Sequence, residues 1–154
     1  MKIKDYRSGV GMVILNQNKK IFIGQRFDKD KSAWQMPQGG IDNNETPVDA
    51  CIRELAEETG IEKNYKIIGK TSNWYTYDLP KNLQRKLWGG RYKGQVQKWF
   101  VISFFGEDNE INIKTRHPEF KNWKWSTKDE LMSLIVPFKK DLYEKTFFEF
   151  SNFL

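Results

Sequence analysis

Three carboxylates define the chemistry to look for: Glu54, Glu57 and Glu58 stand at i, i+3 and i+4. On a helix such positions are neighbours, so the like charges repel and cost stability. Glu57 and Glu58 also fall in the last turn of the helix proposed below, where negative charge opposes the helix dipole. The group reads in two ways. It is a solvated acidic face, or it is a set of oxygen ligands converging on a hard divalent cation such as Mg²⁺, which takes near-octahedral oxygen and keeps several waters. A cation would relieve the repulsion. Upstream, Gln38-Gly39-Gly40 can bend tightly, because glycine has no Cβ, and could bring a backbone carbonyl to the same cation.

The element that must position these residues is a helix over Pro47–Thr59. Thr46 is its expected N-cap, Pro47 its first residue and Gly60 its stop. At 100° per residue, Val48, Ile52, Leu55 and Thr59 fall within about 40° of one another, and that stripe is expected to face the core. Glu54, Glu57 and Glu58 then span about 100° of the opposite side.

Around the helix, residues 10–15 and 20–24 read as a hairpin. Residues 65–71 and 95–105 read as strands, and 111–113 and 122–125 as shorter ones. Residues 72–94 read as a strand followed by an excursion, and within it 81–91 (KNLQRKLWGGR) as a mobile basic loop that either meets phosphates or is simply solvated. A second helix is expected over 127–135, opened by a Thr127-x-x-Glu130 capping box. A third begins near Lys139, with Leu142, Tyr143, Thr146, Phe147 and Phe150 at helical spacing. No linker, repeat or low-complexity stretch interrupts the chain, so residues 1–154 are expected to form a single α+β domain, an α/β/α sandwich.

The chain has 154 residues and a net charge of +6, which favours polyanionic partners. Aromatic content of 15% exceeds the usual, and beyond filling a core it can supply stacking surfaces for bases. The one cysteine, Cys51, excludes an internal disulfide and fits a reducing cytoplasm; it is expected to be a packed small residue. The first residues are polar, and the apolar runs are strand-length, so no targeting segment or membrane span is expected. His117, the one histidine, has no evident partner and is read as incidental.

The spacing around the glutamates resembles the box of the Nudix hydrolases, G-x5-E-x7-R-E-U-x-E-E-x-G-U, where U is a bulky aliphatic. Gly39, Glu45, Arg53, Glu54, Leu55, Glu57, Glu58, Gly60 and Ile61 fill every defined position. The resemblance implies an α/β/α sandwich with a mixed sheet and a catalytic helix, and hydrolysis of phosphoanhydride bonds with Mg²⁺, Mn²⁺ or another divalent cation. It implies that Glu54, Glu57 and Glu58 are metal ligands, one of them also the base for water, with the Gly39 carbonyl as a further ligand. It casts Arg53 and Glu45 as the pair that orients the helix.

Outside the box, Tyr6-Arg7, Trp34 to Ile41, Tyr77-x-Leu79-Pro80, Gly94 to Phe100, Pro118-Glu119-Phe120 and Phe138-Lys139 resemble one branch of that family, the bacterial RNA pyrophosphohydrolases and the similar dinucleoside polyphosphate hydrolases. The branch implies phosphate and RNA contacts at Arg7, Arg26, Lys98 and Lys139. It implies base-stacking surfaces at Tyr77 and Phe138, and an additional metal ligand at Glu119. Ala33 stands where some members carry a small hydroxyl residue, so a hydrogen bond to substrate is expected to be missing. The leading reading is removal of pyrophosphate, or of phosphate stepwise, from the 5′-triphosphate end of RNA, by a monomeric cytoplasmic enzyme. Asymmetric cleavage of diadenosine polyphosphates is the alternative, and a non-catalytic nucleotide-binding module the remote one.

Overall fold

The computed structural model describes residues 5–27 and 34–154, so the expectation at Ala33 lies outside the described residues. The chain opens with β1 (Tyr6–Leu15) and β2 (Ile21–Arg26), joined by a tight turn in which the Asn16 carboxamide oxygen accepts from the Asn18 and Lys20 N–H groups at 2.9 Å. This is the expected hairpin, but its strands pair only at Leu15↔Ile21 and then diverge. Into the wedge between them run β3 (Trp34–Gln35), which pairs with β2, and β4 (Gln38–Gly40), which pairs with β1 through Gly9–Gly11. The glycine-rich segment expected to bend therefore forms a short strand inside the sheet.

Helix α1 (Pro47–Thr59) has the predicted ends. Thr46 Oγ1 accepts from the Asp49 N–H at 3.1 Å, and Gly60 takes the left-handed conformation (φ 75°) that a side chain would strain. Next come β5 (Tyr65–Lys70), β6 (Tyr75–Asp78), the short helix α2 (Lys81–Lys86) with a 3₁₀ turn over Trp88–Gly90, and β7 (Gly94–Phe104). Strand β7 lies parallel to β1 along its whole length, from Tyr6↔Gly94 to Leu15↔Ser103, and antiparallel to β5 and β6. Strand β8 (Phe120–Ser126) pairs with β2. The chain then closes with α3 (Lys128–Leu134), a 3₁₀ turn over Pro137–Lys139, and α4 (Lys140–Glu149).

Side chains alternate across the mixed sheet and feed a core on each face. Val10, Met12, Ile14, Phe100 and Ile102 pack with Ala50, Cys51 and Leu55 of α1. Val13, Leu15, Trp99 and Val101 pack with Leu131 of α3 and with Leu142, Tyr143 and Phe147 of α4. Helices on both faces make this the expected α/β/α architecture. Each of these fully buried large side chains contributes about 1.5–3 kcal/mol relative to exposure. Cys51 is fully buried, and burial pushes its thiol up to about 12, as expected of a packed residue.

Three local expectations are corrected. The buried side of α1 is Ala50, Cys51, Leu55, Glu58 and Thr59, while Val48 and Ile52 are 40% and 41% exposed. The helix is rotated so that two of its glutamates turn towards β4 rather than away from the core. Residues 111–113 form no strand, because the described sheet offers them no partner; Ile111 is buried as a plug after a short 3₁₀ turn. Residues 81–91 are not a loop but the short helix and the 3₁₀ turn: Leu83 and Leu87 pack on the core, and Gln84 Nε2 donates to the Leu79 carbonyl at 2.8 Å.

Candidate active site

The site forms where β4 enters the wedge and α1 crosses it. Arg53 is its hub. Its Nε and Nη2 donate to the two oxygens of Glu45 at 2.8 Å each, and Nη2 also donates to the Gly40 carbonyl at 2.8 Å. Nη1 donates to Glu54 at 2.7 Å and to Glu57 at 3.2 Å. Glu45 is tied to its own loop as well, accepting from the Asp42 N–H at 2.9 Å. The guanidinium thus ties the loop, the glycine strand and the helix together, and a planar fork suits that span as a point charge would not. Beside Arg53, the Glu45 carboxyl is held down at about 2.

Glu54 lies directly on Gly39, and a Cβ there would overlap its carboxylate. Glu58 is buried, with its Oε2 accepting from the Gln38 N–H at 3.0 Å. Glu119, exposed on the loop that leads into β8, acts electrostatically on both Glu54 and Glu58. Burial raises the Glu54 carboxyl above the usual range; the Arg53 bond opposes this, and Glu57 and Glu119 add to it. Burial pushes Glu58 well up, Glu54 and Glu119 add to it, and the Gln38 N–H and Lys139 oppose it. Two inward carboxylates with a third beside them are therefore undercompensated in positive charge. Glu57 differs: its side chain is 58% exposed and turns to Arg53.

These observations decide whether a divalent cation fits. Among the described residues no three acidic, histidine or cysteine side chains close into a cage. A Mg²⁺ ion does not require one, since it binds through one or two carboxylates and keeps its waters. The oxygen-only donors, their unrelieved charge and the glycine that lets the Glu54 carboxylate lie against the β4 backbone all suit a hydrated hard cation.

A second group of residues lies on the α3/α4 side. Tyr77, from β6, is largely buried; its ring lies 6.0 Å from that of Phe138 at 31°, and its hydroxyl accepts from Gln38 Nε2 at 3.1 Å. Lys139 is only 2% exposed, and its Nζ donates to Gln35 at 2.9 Å and Gln38 at 3.2 Å while lying 5.5 Å from the centre of the Tyr77 ring. Phe138 is the half-exposed face of this group. Arg26 acts electrostatically on Tyr77 and Tyr143, and its β8 partner is Phe120, next to Glu119. Arg7 lies over Gly40 and 5.2 Å from the centre of the Trp88 ring. Lys98 is not brought to this group. It stands on the α1 face of β7, donating to the Ser72 carbonyl at 3.3 Å, 6.0 Å from the centre of the Trp74 ring. His117 is exposed.

Two participants were not anticipated. Gln38 joins Glu58, Tyr77 and Lys139 through its backbone and side chain, so it links the acidic group to the aromatic one. Trp88 stacks on Arg7 from a segment expected to be mobile. No periodicity marks either residue, since both depend on chain crossings distant in sequence.

The chain is similar to known proteins in sequence and in fold. A family model described as NUDIX domain matches residues 5–146. The RNA pyrophosphohydrolases of Rickettsia conorii and Rickettsia bellii are each 52% identical over 149 residues, 97% of this chain and 92% of theirs. Among solved structures, the E. coli dihydroneopterin triphosphate pyrophosphohydrolase superposes with a TM-score of 0.69 at 20% identity, covering 92% of this chain and 97% of that one. A C. elegans Ap4A hydrolase binary complex gives 0.63 at 20% identity, over 94% and 96%. At that identity these two likenesses speak to the fold.

Proposed function

The chain belongs to the NUDIX domain family, and we propose that it is a hydrolase of phosphoanhydride bonds that removes pyrophosphate, or phosphate stepwise, from the 5′-triphosphate end of RNA. The observation that carries the substrate is the 52% identity to proteins named RNA pyrophosphohydrolase over nearly the whole of both chains.

Glu54, Glu58 and Glu119, with the Gly39 carbonyl, would hold the divalent cation, and Glu57 stands at the rim. Bound there, the cation would offset anhydride charge and lower the pKa of a water. The chain's own residues do the rest. Arg53 and Glu45 hold the helix, the Gly40 carbonyl and the Glu54 carboxylate in one arrangement, so the acidic group needs little reorganisation. An ionised glutamate beside the water accepts its proton. Arg7, over Gly40, and Arg26, paired with Phe120 next to Glu119, can meet the polyphosphate with charge-assisted hydrogen bonds. Phe138 offers an accessible face to the first bases, backed by Tyr77. Lys139 is buried behind Gln35 and Gln38, so it acts on the substrate as a fixed positive charge and by holding Gln38. Lys98 would reach only substrate that wraps to the α1 face.

In the proposed setting the enzyme is a monomer of the cytoplasm, where the buried Cys51 needs no partner. No helix among the described residues is long and apolar enough to cross a membrane. The test is product analysis. With Mg²⁺, 5′-triphosphorylated RNA should become 5′-monophosphorylated RNA, with release of pyrophosphate or phosphate, and Glu58→Gln should abolish the conversion. Intact triphosphate ends after prolonged incubation would refute the reading.

A further inference from the structure

Between Asp78 and Glu107 the chain carries no acidic residue. Within that stretch α2 and the turn after it present Lys81, Arg85, Lys86, Arg91 and Lys93, all exposed. Among the described residues none of the five takes part in an ion pair. Five like charges gathered without ion-pair partners repel one another.

The segment is nevertheless firmly placed. Leu83 and Leu87 pack on the core, and Trp88 is held in the left-handed region (φ 49°), where a bulky side chain is seldom found. Trp88 meets the Tyr92 ring edge-on at 6.0 Å, and Arg91 lies 5.3 Å from the centre of the Tyr92 ring. The Trp88 ring also reaches Arg7, which itself lies over Gly40 in the acidic group. From the other end, the chain runs from Tyr77 in β6 through Leu79 and Pro80 directly into α2. Arg7 therefore links the acidic group to this ridge through Trp88. Lys81 and Arg85 lie one turn apart, about 6 Å along the helix axis.

We propose that α2 and the turn after it form a track for the single-stranded RNA that follows the triphosphate, with Lys81, Arg85, Lys86 and Lys93 contacting backbone phosphates and the Trp88–Tyr92 pair offering an aromatic edge to bases. Unpaired cations interleaved with aromatic rings are the equipment of sequence-tolerant single-strand binding. The track deepens the proposed function and rests on it. It also gives that function a source of preference: a dinucleoside polyphosphate is too short to use the ridge, and an RNA chain is not.

The test compares wild type with the variant Lys81→Gln/Arg85→Gln/Lys86→Gln/Lys93→Gln on two substrates, 5′-triphosphorylated RNA of about 20 nucleotides and a 5′-triphosphorylated dinucleotide, across a salt series with Mg²⁺. Each phosphate contact on a single strand contributes about 0.7 to the slope of log affinity against log salt, so four contacts contribute about 2.8. On the long RNA the variant should lose roughly tenfold in kcat/KM at low salt, with its slope flattened by about 2.8 and kcat unchanged. On the dinucleotide it should match wild type. Lys86→Gln/Lys93→Gln alone should flatten the slope by about half as much, which keeps the test usable if the fourfold variant folds poorly. Equal losses on both substrates, or an unchanged slope on the long RNA, would overturn the track. Binding of an unreactive 5′-hydroxyl RNA, read by fluorescence anisotropy, separates the track from the proposed activity. If wild type hydrolyses neither RNA, the proposed function fails. The track still stands if the variant binds the strand more weakly, and falls if it binds equally.

Discussion

Replacing Arg53 by lysine keeps the charge and removes the fork. The guanidinium makes four bonds of 2.7–2.8 Å, two to Glu45, one to Glu54 and one to the Gly40 carbonyl. A single ammonium cannot span Glu45 and Glu54 at once, so at least two of the four are lost. Charge-assisted bonds of this kind contribute about 1.5–3 kcal/mol each when a partner is stranded. With the Arg53 side chain 27% exposed, water replaces part of that, and a net loss of about 2–3 kcal/mol is expected. For a chain of this size that corresponds to a melting point about 4–12 °C lower. The catalytic effect should exceed what the stability loss alone implies, because Glu54 and Gly40 lose their common anchor. A misplacement of about 1 Å in such a group costs on the order of 100-fold, and the loss should appear in kcat with KM moving less than about threefold. Initial rates of phosphate release from a triphosphorylated dinucleotide, alongside thermal melts, measure both. If Arg53→Lys keeps kcat within about threefold of wild type, the geometry of the fork is irrelevant and the positioning role of Arg53 is wrong.

Three other perturbations follow from the same geometry. Gly39→Ala places a methyl group in the Glu54 carboxylate, so it should cost about 1–3 kcal/mol by overpacking and reduce kcat severely, and Glu54→Asp in the same chain should recover part of the stability but not the rate; a fully active Gly39→Ala would refute the close contact. Glu58→Gln should abolish turnover yet stabilise the metal-free protein at pH 7 by on the order of 1 kcal/mol, since it removes a buried charge and can still accept from the Gln38 N–H. The Glu58 carboxyl is raised in the fold, so its ionisation destabilises the native state only as pH climbs above the unfolded value of about 4.5, and melts at pH 4 should show no gain for the variant. Glu45 has the opposite sign: its carboxyl sits at about 2 in the fold, so Glu45→Gln should lose about 1 kcal/mol at neutral pH, and that difference should vanish as pH falls from about 4.5 towards 2 in acid unfolding curves.

What could be read along the chain was whatever depends on neighbours in sequence. The ends of α1 were legible because Thr46, Pro47 and Gly60 act locally, and α4 because Leu142, Tyr143, Thr146, Phe147 and Phe150 repeat at helical spacing and all are buried. The direction in which α1 faces was not legible. Val48 and Ile52 outweigh Glu54 and Glu58 on any scale of apolarity, but the helix packs against a strand of glycines that accepts carboxylates, so the acidic side turns inward. Residues 81–91 looked like a loop because only Leu83, Leu87 and Trp88 are apolar, and their value depends on the core surface they meet. The apolar pair Ile111 and Ile113 suggested a strand, but a strand needs a neighbour, and no local pattern supplies one. The resemblance to the Nudix box anticipated the Arg53–Glu45 pair, which the structure bears out at 2.8 Å. Neither spacing nor resemblance exposed Gln38, whose importance arises only where β4, β6 and the turn before α4 converge.

The central claim is that this site acts on the triphosphate end of an RNA chain, and a competition assay tests it most directly. Triphosphorylated RNA and diadenosine tetraphosphate are mixed with the protein and Mg²⁺, and kcat/KM is determined for each. The account predicts that RNA is preferred by roughly tenfold or more, with both activities lost in Glu58→Gln. Preference for the dinucleotide, with triphosphorylated RNA left intact, would contradict it.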